Sequence, residues 1–401
     1  MSERVERIDF TILRFPVSHF ISGWRQIKET YHMITLVKTE NHVIGIGEGT
    51  PYGTDIVEDY NAALKLRKIL IGRTLDEAIK ILNEIEFKAF LSKTKVTYGT
   101  FLAIEGALLD ALAKHKKTSI ANLLGGEYRD RVPVVGTVFL KNPYKMVEEV
   151  NMWILKGINH IKVKIPCNLD DLEKFLNIIV GRSLLKEGDT ILRVDANQCF
   201  KKYEKAVKAL KIMEKYGVYI VEQPMPRHAL KDIARLRKLF YPTIKIMLDE
   251  SLTRPQDIKL FAELEAADIV NFHPSKLGCL SITRHSILES KKYGLEAQIG
   301  SALLTEIGLI HYVNLAVSIP KLDYPLEEIG IYPFYRYYIY KEPYTLSEST
   351  IYINKYKNID PAKLTFEIIK KIDRCEYTLF DIHFESLKIP NFQFSKIKLS
   401  L

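Results

Sequence analysis

The sequence is short of the features that mark secreted, metal-thiolate and membrane proteins. Among its 401 residues it has only 4 cysteines, and no two of them form a CxxC pair. Cys167, Cys199, Cys279 and Cys375 lie far apart, so neither a thiolate metal site nor a disulfide framework is expected. No apolar run approaches the roughly 18 residues that a membrane span needs. The first ten residues are charged and lack the apolar centre of a signal peptide, which predicts a reduced, cytoplasmic location.

The charge balance is basic without being patterned. Lysine and arginine number 58 against 49 aspartates and glutamates, for a net charge of +9. The lysines are scattered rather than clustered in blocks, which is typical of a solvated surface. We therefore expect no nucleic-acid partner and no membrane partner, whereas a small anionic substrate would suit the positive total.

From residue 132 onward, short apolar stretches alternate with amphipathic ones. Eight stretches have the composition of buried parallel strands, and segments of helical period separate them. The eight are 133–139, 160–165, 190–195, 218–222, 244–249, 268–273, 295–300 and about 319–324. This alternation predicts an α/β fold, a TIM-like (β/α) barrel of seven or eight units. The alternative is a doubly wound open sheet, which usually has fewer strands and a phosphate-binding glycine fingerprint that is absent here after strand one.

The segments on either side of the predicted barrel have a different pattern. The N-terminal part alternates like antiparallel strands and then becomes helical to about residue 116. The C-terminal part is rich in tyrosine and lysine and contains short strand-like runs. We predict an α+β domain at 1–131, the barrel at 132–325 and a tail at 326–401 that packs on the N-terminal domain.

Three consecutive predicted strands end in a carboxylate. Asp195 (VDANQ), Glu222 (VEQP) and Asp249 (LDES) each follow an aliphatic residue that would face the helices. Because the C-terminal strand ends of a barrel meet at one rim, these carboxylates should lie together and repel one another unless a cation separates them. A hard divalent ion, Mg²⁺ with Mn²⁺ as the alternative, prefers such oxygen ligands. A purely structural network with nearby lysines is the competing interpretation.

The stretch HIKVKI at 160–165 places Lys162 and Lys164 on one face of a strand and aliphatic residues on the other. A lysine that acts as a base near pH 7 must have a pKa well below its ordinary value of about 10.4. Burial, the neighbouring lysine and a bound metal would each lower the pKa of Lys164. In the simpler alternative, both lysines only neutralise the carboxylates.

Together, KVK, VDANQ, VEQP and LDES at these separations resemble the enolase superfamily, and within it the muconate-lactonizing-enzyme subgroup of the mandelate racemase/muconate lactonizing enzyme family. TFLAIEGALLDALAKHKKTSIANLLGG (100–126) and ITLVKTENHVIGIGEGTPY resemble that family's capping domain. The nearest types are dipeptide epimerases and o-succinylbenzoate synthases. The resemblance spans about residues 5–330 and implies a capping domain that is formed by the N-terminal segment and the C-terminal tail.

The resemblance also implies a role for each charged residue. Lys164 would remove the proton α to a substrate carboxylate. Lys162 and the metal would stabilise the resulting enediolate. Asp195, Glu222 and Asp249 would bind Mg²⁺. The residues implied to orient these ligands are Asn197, Gln223 and Glu250.

The chain departs from the subgroup at the end of strand six, where a second catalytic lysine is usual. Alternation in DIVNFH points Asn271 and His273 inward, so His273 holds that position. Lys276 then falls in the following loop, where the family often has a basic residue without a catalytic role. His273 could exchange a proton, because the ordinary pKa of histidine is about 6.5. A hydrogen bond to substrate and a purely structural role are the alternatives.

Four further residues are predicted to contact substrate. Ser301 lies in a Gly-Ser-Ala turn that resembles the subgroup's turn after strand seven, and Thr137 lies on the first barrel strand. Strand eight has Lys321 and Asp323 where dipeptide epimerases have Asp-x-Asp to bind an ammonium group. Because Lys321 reverses one charge, an anionic group on the substrate fits better than the free amino terminus of a dipeptide.

These residues predict a Mg²⁺-dependent isomerase or lyase that acts on a small carboxylate. Racemisation or epimerisation follows if His273 exchanges a proton. A one-base elimination or cycloisomerisation follows if it does not. A metal-binding relative without catalysis is the alternative of another class, although it would not need both strand-two lysines. We also expect a homo-oligomer.

Overall fold

The computed structural model describes residues 3–22, 25–51, 56–92, 98–186, 189–327 and 349–352. None of the helices within these ranges is long and apolar enough to cross a membrane.

The N-terminal domain is an antiparallel three-stranded sheet packed on helices. Its strands are β1 (Val5–Ser22), β2 (Arg25–Thr39) and β3 (Ile44–Gly49). Its helices are α1 (Ile56–Leu70), α2 (Leu75–Ser92), α3 (Tyr98–Lys116) and α4 (Ile120–Leu124). Only glycine fits at two positions of IGIGEG, because a Cβ at Gly45 or Gly47 would overlap the α3 backbone. Strand and helix are therefore in direct backbone contact, and most of α3 is buried.

The second domain is a ring of parallel strands surrounded by helices. After the short strand β4 (Arg131–Pro133), its strands are β5 (Gly136–Val138), β6 (His160–Lys164), β7 (Ile191–Asp195), β8 (Ile220–Glu222), β9 (Lys245–Leu248), β10 (Ile269–Phe272) and β11 (Glu296–Ile299). Its helices are α5 (Pro143–Leu155), α6 (Leu169–Arg182), α7 (Tyr203–Lys215), α8 (Leu230–Phe240), α9 (Asp257–Glu263), α10 (Pro274–Leu277), α11 (Leu280–Lys292) and α12 (Glu306–Val317), with a 3₁₀ turn at Leu184–Lys186. The strands β5 to β11 pair in sequence order, which confirms the barrel and excludes the doubly wound sheet.

The ring closes through Leu326 and Glu327. The Leu326 N–H donates to Pro133 O at 2.8 Å, and Val135 N–H donates to Leu326 O at 2.9 Å. On the other side, Glu327 N–H donates to Ile299 O at 3.0 Å, which joins the segment to β11. The closing segment therefore lies C-terminal to the predicted eighth strand. The prediction that placed this strand at about 319–324 was wrong in register.

Most of the predicted tail at 326–401 lies outside the described residues. Its described part includes β12 (Thr350–Tyr352), which pairs antiparallel with β4 at the start of the barrel domain. The domain boundaries stay predictions.

The strand alternation separates two environments in the barrel. Ile161, Val163 and Val194 are fully buried in the large apolar core shared with the surrounding helices. Inside the ring, a small apolar cluster occupies the N-terminal ends of the strands; its buried members are Ile220, Met247, Ile269 and Tyr324. The charged residues lie inside the ring toward the C-terminal ends, as the sequence predicted.

A buried carboxylate joins the N-terminal domain to the barrel. Glu48 of β3 accepts hydrogen bonds from Thr305 N–H at 2.9 Å and Gly308 N–H at 2.7 Å, at the start of α12. The His32 ring donates to the same carboxylate at 2.7 Å. Burial by itself would raise the pKa of Glu48, but the hydrogen bonds from His32 and Thr305 outweigh it and lower that pKa. An anion at a helix N-terminus is stabilised by the free N–H groups and the helix dipole.

We predict that Glu48→Gln lowers the free energy of unfolding by about 3 kcal/mol, because an amide cannot replace the charge that these donors share. Urea unfolding of the purified protein measures the change. Glu40→Gln, at an exposed position in the turn between β2 and β3, is the matched control and should leave stability unchanged. Equal stability of the two variants would contradict the proposed contribution of Glu48.

Candidate active site

Five predicted residues form a row along the C-terminal rim of the barrel. Lys164 ends β6, Asp195 ends β7, Glu222 ends β8, Asp249 follows β9 and His273 follows β10. These strands are consecutive neighbours, and Lys164 pairs in register with Asp195, which pairs with Glu222. The three carboxylates are therefore flanked by Lys164 on one side and His273 on the other.

Lys164 is buried and bound to the first carboxylate of the row. Its Nζ donates to Asp195 Oδ2 and to Asn197 Oδ1, each at 2.7 Å. Burial lowers the pKa of Lys164, but contact with Asp195 outweighs burial, and the pKa lies above its ordinary value. This differs from the lowered pKa that the sequence predicted, because Asp195 accepts a hydrogen bond from the ammonium group and stabilises its charge.

Lys162 lies deeper in the barrel and among more charges. Its Nζ is 3.5 Å from Glu222 Oε2 and 3.9 Å from Asp195 Oδ2, and it contacts Glu327 Oε1 directly. Burial, with help from Arg193 and Lys164, lowers the pKa of Lys162 to about 8 against the opposing effect of the carboxylates.

Two basic side chains reach the third carboxylate of the row. His273 Nε2 lies 3.0 Å from Asp249 Oδ1, and Lys276 Nζ donates to Asp249 O at 2.6 Å and contacts Oδ1. Burial lowers the pKa of His273. Burial would raise the pKa of Asp249, but Lys276 and His273 hold it well below its usual range. A Cβ at Gly300 would overlap the His273 ring, so that glycine makes room for the imidazole.

Of the three residues predicted to orient the ligands, Asn197 and Gln223 contact the row, and Glu250 contacts Asn197. Asn197 N–H donates to Asp195 Oδ1 at 2.9 Å, and Asn197 Nδ2 donates to Glu250 Oε1 at 3.3 Å. Gln223 Oε1 accepts the Asp249 N–H at 3.0 Å, which fixes the turn after β9. Burial, followed by the nearby charges of Asp249 and Asp195, raises the pKa of Glu250 to about 8.

Sequence reasoning missed two buried charges at the centre of the barrel. Arg193 donates to Glu327 Oε2 at 3.0 Å and lies 3.3 Å from Glu222 Oε2. Asn271 donates to Glu222 Oε1 at 3.0 Å and to Glu327 Oε2 at 3.1 Å. A signal for Glu327 was present, because Leu326-Glu327 repeats the aliphatic-carboxylate pair that ends the other strands.

The structure does not bring Lys321 and Asp323 to this rim. The Lys321 side chain is 86% exposed. Asp323 Oδ2 accepts the Ala297 N–H at 2.8 Å, near the start of β11, and contacts Lys291 at the end of α11. Both residues therefore lie toward the opposite end of the barrel, because strand eight closes the ring several residues later than predicted.

The other two predicted substrate contacts are closer to the row. Thr137 pairs in register with Lys162, and among the described residues its buried Oγ1 has no hydrogen-bond partner. Ser301 follows β11, and its hydroxyl donates to Ala302 O at 2.6 Å.

Two cysteines were interpreted wrongly. Cys167 and Cys199, expected to be unpaired, form a disulfide with a Cα–Cα distance of 5.3 Å. Their separation of 32 residues in the sequence concealed that each follows one of two neighbouring strands, β6 and β7. Cys279 is a free, buried cysteine.

The carboxylates have the chemistry of a divalent-cation site, although cations of the protein contact them here. Within the described ranges, no group of three or more His, Cys, Asp or Glu side chains is arranged to hold a metal ion. Lysine and arginine side chains contact the carboxylates instead. Glu222 Oε2 is buried and accepts no hydrogen bond from the described residues. Three carboxylates, one of which has an oxygen that accepts no hydrogen bond from the described residues, fit a hard divalent ion.

Two family descriptions match the chain. "Enolase C-terminal domain-like" matches residues 145–356, and "Mandelate racemase / muconate lactonizing enzyme, N-terminal domain" matches residues 13–125. The chain belongs to the mandelate racemase/muconate lactonizing enzyme family of the enolase superfamily. The resemblance that the sequence motifs carried is confirmed.

Relatives of this enolase superfamily member include a racemase and a cycloisomerase. N-succinyl-L-Arg/Lys racemase of Bacillus cereus is 24% identical over 321 residues, which are 79% of this chain and 84% of the relative. Muconate cycloisomerase 1 of Rhodococcus opacus is 25% identical over 305 residues, which are 74% of this chain and 79% of the relative. The crystal structure of muconate lactonizing enzyme from Pseudomonas fluorescens, complexed with muconolactone, has a TM-score of 0.80 at 21% identity and covers 91% of this chain and 99% of that one. The chain is an enzyme of this superfamily and has the fold of the superfamily.

We predict that Glu327→Gln lowers the free energy of unfolding of this enolase superfamily member by about 3–5 kcal/mol, because Lys162 and Arg193 lose a buried counter-charge. Chemical denaturation measures the loss. Glu263→Gln removes the same charge from an exposed helical position and should change stability little. An unchanged midpoint for Glu327→Gln would show that the buried cations do not depend on Glu327.

Proposed function

We propose that this enzyme removes the proton α to the carboxylate of a small substrate and returns a proton to the same carbon, which racemises or epimerises it. One observation carries the proposal: Lys164 and His273 flank the row of three carboxylates, each in contact with a terminal one. Two acid–base groups that approach a carbon from different sides are what inversion of its configuration requires.

Lys164 is the proposed base. Against the effect of burial, contact with Asp195 raises its pKa in this structure, and a divalent ion bound at the carboxylates would lower that pKa. Asp195 and Asn197 hold its Nζ at the rim of the barrel, and the base must reach the substrate proton within hydrogen-bond distance. Lys162 lies behind it with a contact to Glu327 and closer to the barrel centre. Its fixed positive charge would stabilise the enediolate that forms when the proton leaves.

Asp195, Glu222 and Asp249 are the proposed ligands of Mg²⁺, with Mn²⁺ as the alternative. The support is the carboxylate chemistry, the Glu222 Oε2 atom that accepts no hydrogen bond from the described residues, and membership of the family. When bound, the ion would supply positive charge where the substrate carboxylate becomes an enediolate. Asn197, Gln223 and Glu250 would keep the three carboxylates oriented.

His273 is the proposed second acid–base group. Its Nε2 contacts Asp249, and Gly300 leaves room beside the ring. If His273 does not exchange a proton, Lys164 alone would act, and elimination or cycloisomerisation would follow. Relatives of both kinds match the chain, such as a racemase and a muconate cycloisomerase.

The proposed substrate is a small carboxylate. N-acyl amino acids are the first candidates, because one relative is named an N-succinyl-L-Arg/Lys racemase. Thr137, whose hydroxyl has no hydrogen-bond partner in the described part of the chain, and Ser301 are proposed substrate contacts. A homo-oligomeric state and a cytoplasmic location stay predictions.

A relative without catalysis would not need Lys162 and Lys164 buried together beside the carboxylates.

We predict that Lys164→Ala abolishes exchange of the substrate α-hydrogen with solvent. N-succinyl amino acids, dipeptides, acid sugars and succinylbenzoate precursors are incubated with enzyme and Mg²⁺ in D₂O and read by mass gain. The rate for any accepted substrate should fall by about 10²–10⁴-fold, the usual contribution of a positioned base.

Lys174→Ala, at an exposed position on α6, is the matched control and should keep the wild-type rate. Calorimetric titration with Mg²⁺ shows whether the Lys164 variant keeps its metal site. Wild-type-like exchange by Lys164→Ala would exclude Lys164 as the base.

We predict that His273→Asn affects the α-hydrogen exchange of the two enantiomers of an accepted substrate differently. The enantiomer whose α-proton faces Lys164 should keep exchanging with D₂O, whereas the other should lose exchange, and racemisation should fall by about 10²-fold or more. Lys276→Met is measured alongside, since Lys276 contacts the same carboxylate. If only Lys276→Met loses exchange of that enantiomer, Lys276 and not His273 is the second acid–base group. Equal exchange rates in all variants would support one-base chemistry.

A further inference from the structure

The Cys167–Cys199 disulfide joins the two loops that leave the rim beside Lys164 and Asp195. Cys167 lies three residues after Lys164, and Cys199 lies four residues after Asp195. The strands that precede them, β6 and β7, are neighbours. Both cysteines are only partly buried, so a small thiol could reach the bond. We propose that this disulfide is a positioning cross-link for the reaction, an inference that rests on the function proposed above.

The loop after β7 has an unusual backbone at the point where it meets Lys164. Asn197 and Gln198 have φ values of 39° and 66°, in the left-handed region that non-glycine residues rarely adopt. This backbone turns the Asn197 side chain toward Lys164, whose Nζ donates to Asn197 Oδ1. The alignment of the base thus depends on a turn that the chain does not favour locally.

Hydrogen bonds hold that turn besides the disulfide. Ala196 N–H donates to Glu222 O at 3.0 Å, and Gln198 Oε1 accepts the Arg227 N–H at 3.0 Å. Gln198 N–H donates to Gln223 O at 2.8 Å, Cys199 N–H to Ala196 O at 2.9 Å and Phe200 N–H to Pro224 O at 3.0 Å. The bonds to Gln223 and Pro224 tie the loop to the residues that follow β8, and the bond to Ala196 closes the turn itself. The disulfide is the covalent tie to the side of β6, where Lys164 lies.

Opening the bond is ordinary thiol–disulfide exchange. A dithiol such as dithiothreitol gives two electrons and two protons to the S–S bond, which leaves two protein thiols and a cyclic disulfide of the reagent. Glutathione disulfide reverses the step by accepting two electrons and two protons and leaving as two thiols. With the tie open, the loop after β7 can relax and Asn197 can leave Lys164, whereas the carboxylates and Lys162 stay on their strands.

The cross-link is tested first by peptide mapping. Tryptic digestion of unreduced protein should give one linked species, residues 165–174 joined to 194–201, that separates on reduction. Free thiols in both peptides would overturn the proposal.

Positioning is tested by comparing oxidised wild type, reduced wild type and the double variant C167S/C199S. We expect kcat for α-hydrogen exchange to fall roughly 10-fold to 100-fold on reduction, as for a slightly misplaced base, with KM changed less than about twofold. Reoxidation with glutathione disulfide should restore wild type, and the double variant should not respond to either reagent. Unchanged kcat in the reduced protein would refute positioning.

Amide hydrogen exchange gives a readout that needs no substrate. In the reduced protein, amides 198–200 should exchange about tenfold faster or more, while β6 and β7 keep their protection. If amides across the whole barrel lose protection against exchange, the disulfide stabilises the fold in general and has no specific positioning role. If no carboxylate exchanges its α-hydrogen even with oxidised wild type, the proposed function fails, while the peptide map and the local amide rates still decide whether the disulfide holds the loop.

Discussion

Burial of opposite charges beside one another is the constraint on which the barrel depends. Lys162, Lys164 and Arg193 are all buried, and an ammonium or guanidinium group taken from water is stable only with a close partner. Asp195 accompanies Lys164, and Glu327 accompanies both Lys162 and Arg193. Because Glu327 belongs to the segment that closes the ring, closure of the barrel and neutralisation of its interior occur together. The charged residues that would act on a substrate therefore have close partners only when the strands pair in this register.

The N-terminal domain places buried carboxyl groups against backbone N–H donors at the helices around the rim. Glu48 accepts N–H groups at the start of α12, Glu86 accepts Cys279 N–H at 3.0 Å, and Glu105 accepts Ser281 N–H at 3.3 Å at the start of α11. Each carboxylate meets backbone donors that have no partner within their helix. The capping domain thereby fixes the turns that follow β10 and β11, where His273 and Gly300 lie.

The row of charged residues was predictable, and the reason is local. Aliphatic residues alternate with Lys162, Lys164, Asp195 and Glu222, so residue type and strand period together indicate which side chains face the interior. Strand eight was predicted in the wrong register, since Lys321-Leu322-Asp323 alternates in the same way but lies toward the other end of the barrel. Alternation by itself does not say where along the chain a strand pairs.

By itself, the sequence determined the family, the barrel and the order of Lys164, Asp195, Glu222, Asp249 and His273 around its rim. The strand period is a property of short stretches, and the strand order follows from the alternation of strands and helices along the chain. Only the tertiary structure decided which distant groups meet. Lys162 and Glu327 are 165 residues apart, and Cys167 and Cys199 are 32 apart. Such contacts depend on the register of neighbouring strands and on the path of the loops between them. A ladder of backbone hydrogen bonds sets both, and no single stretch of sequence contains it.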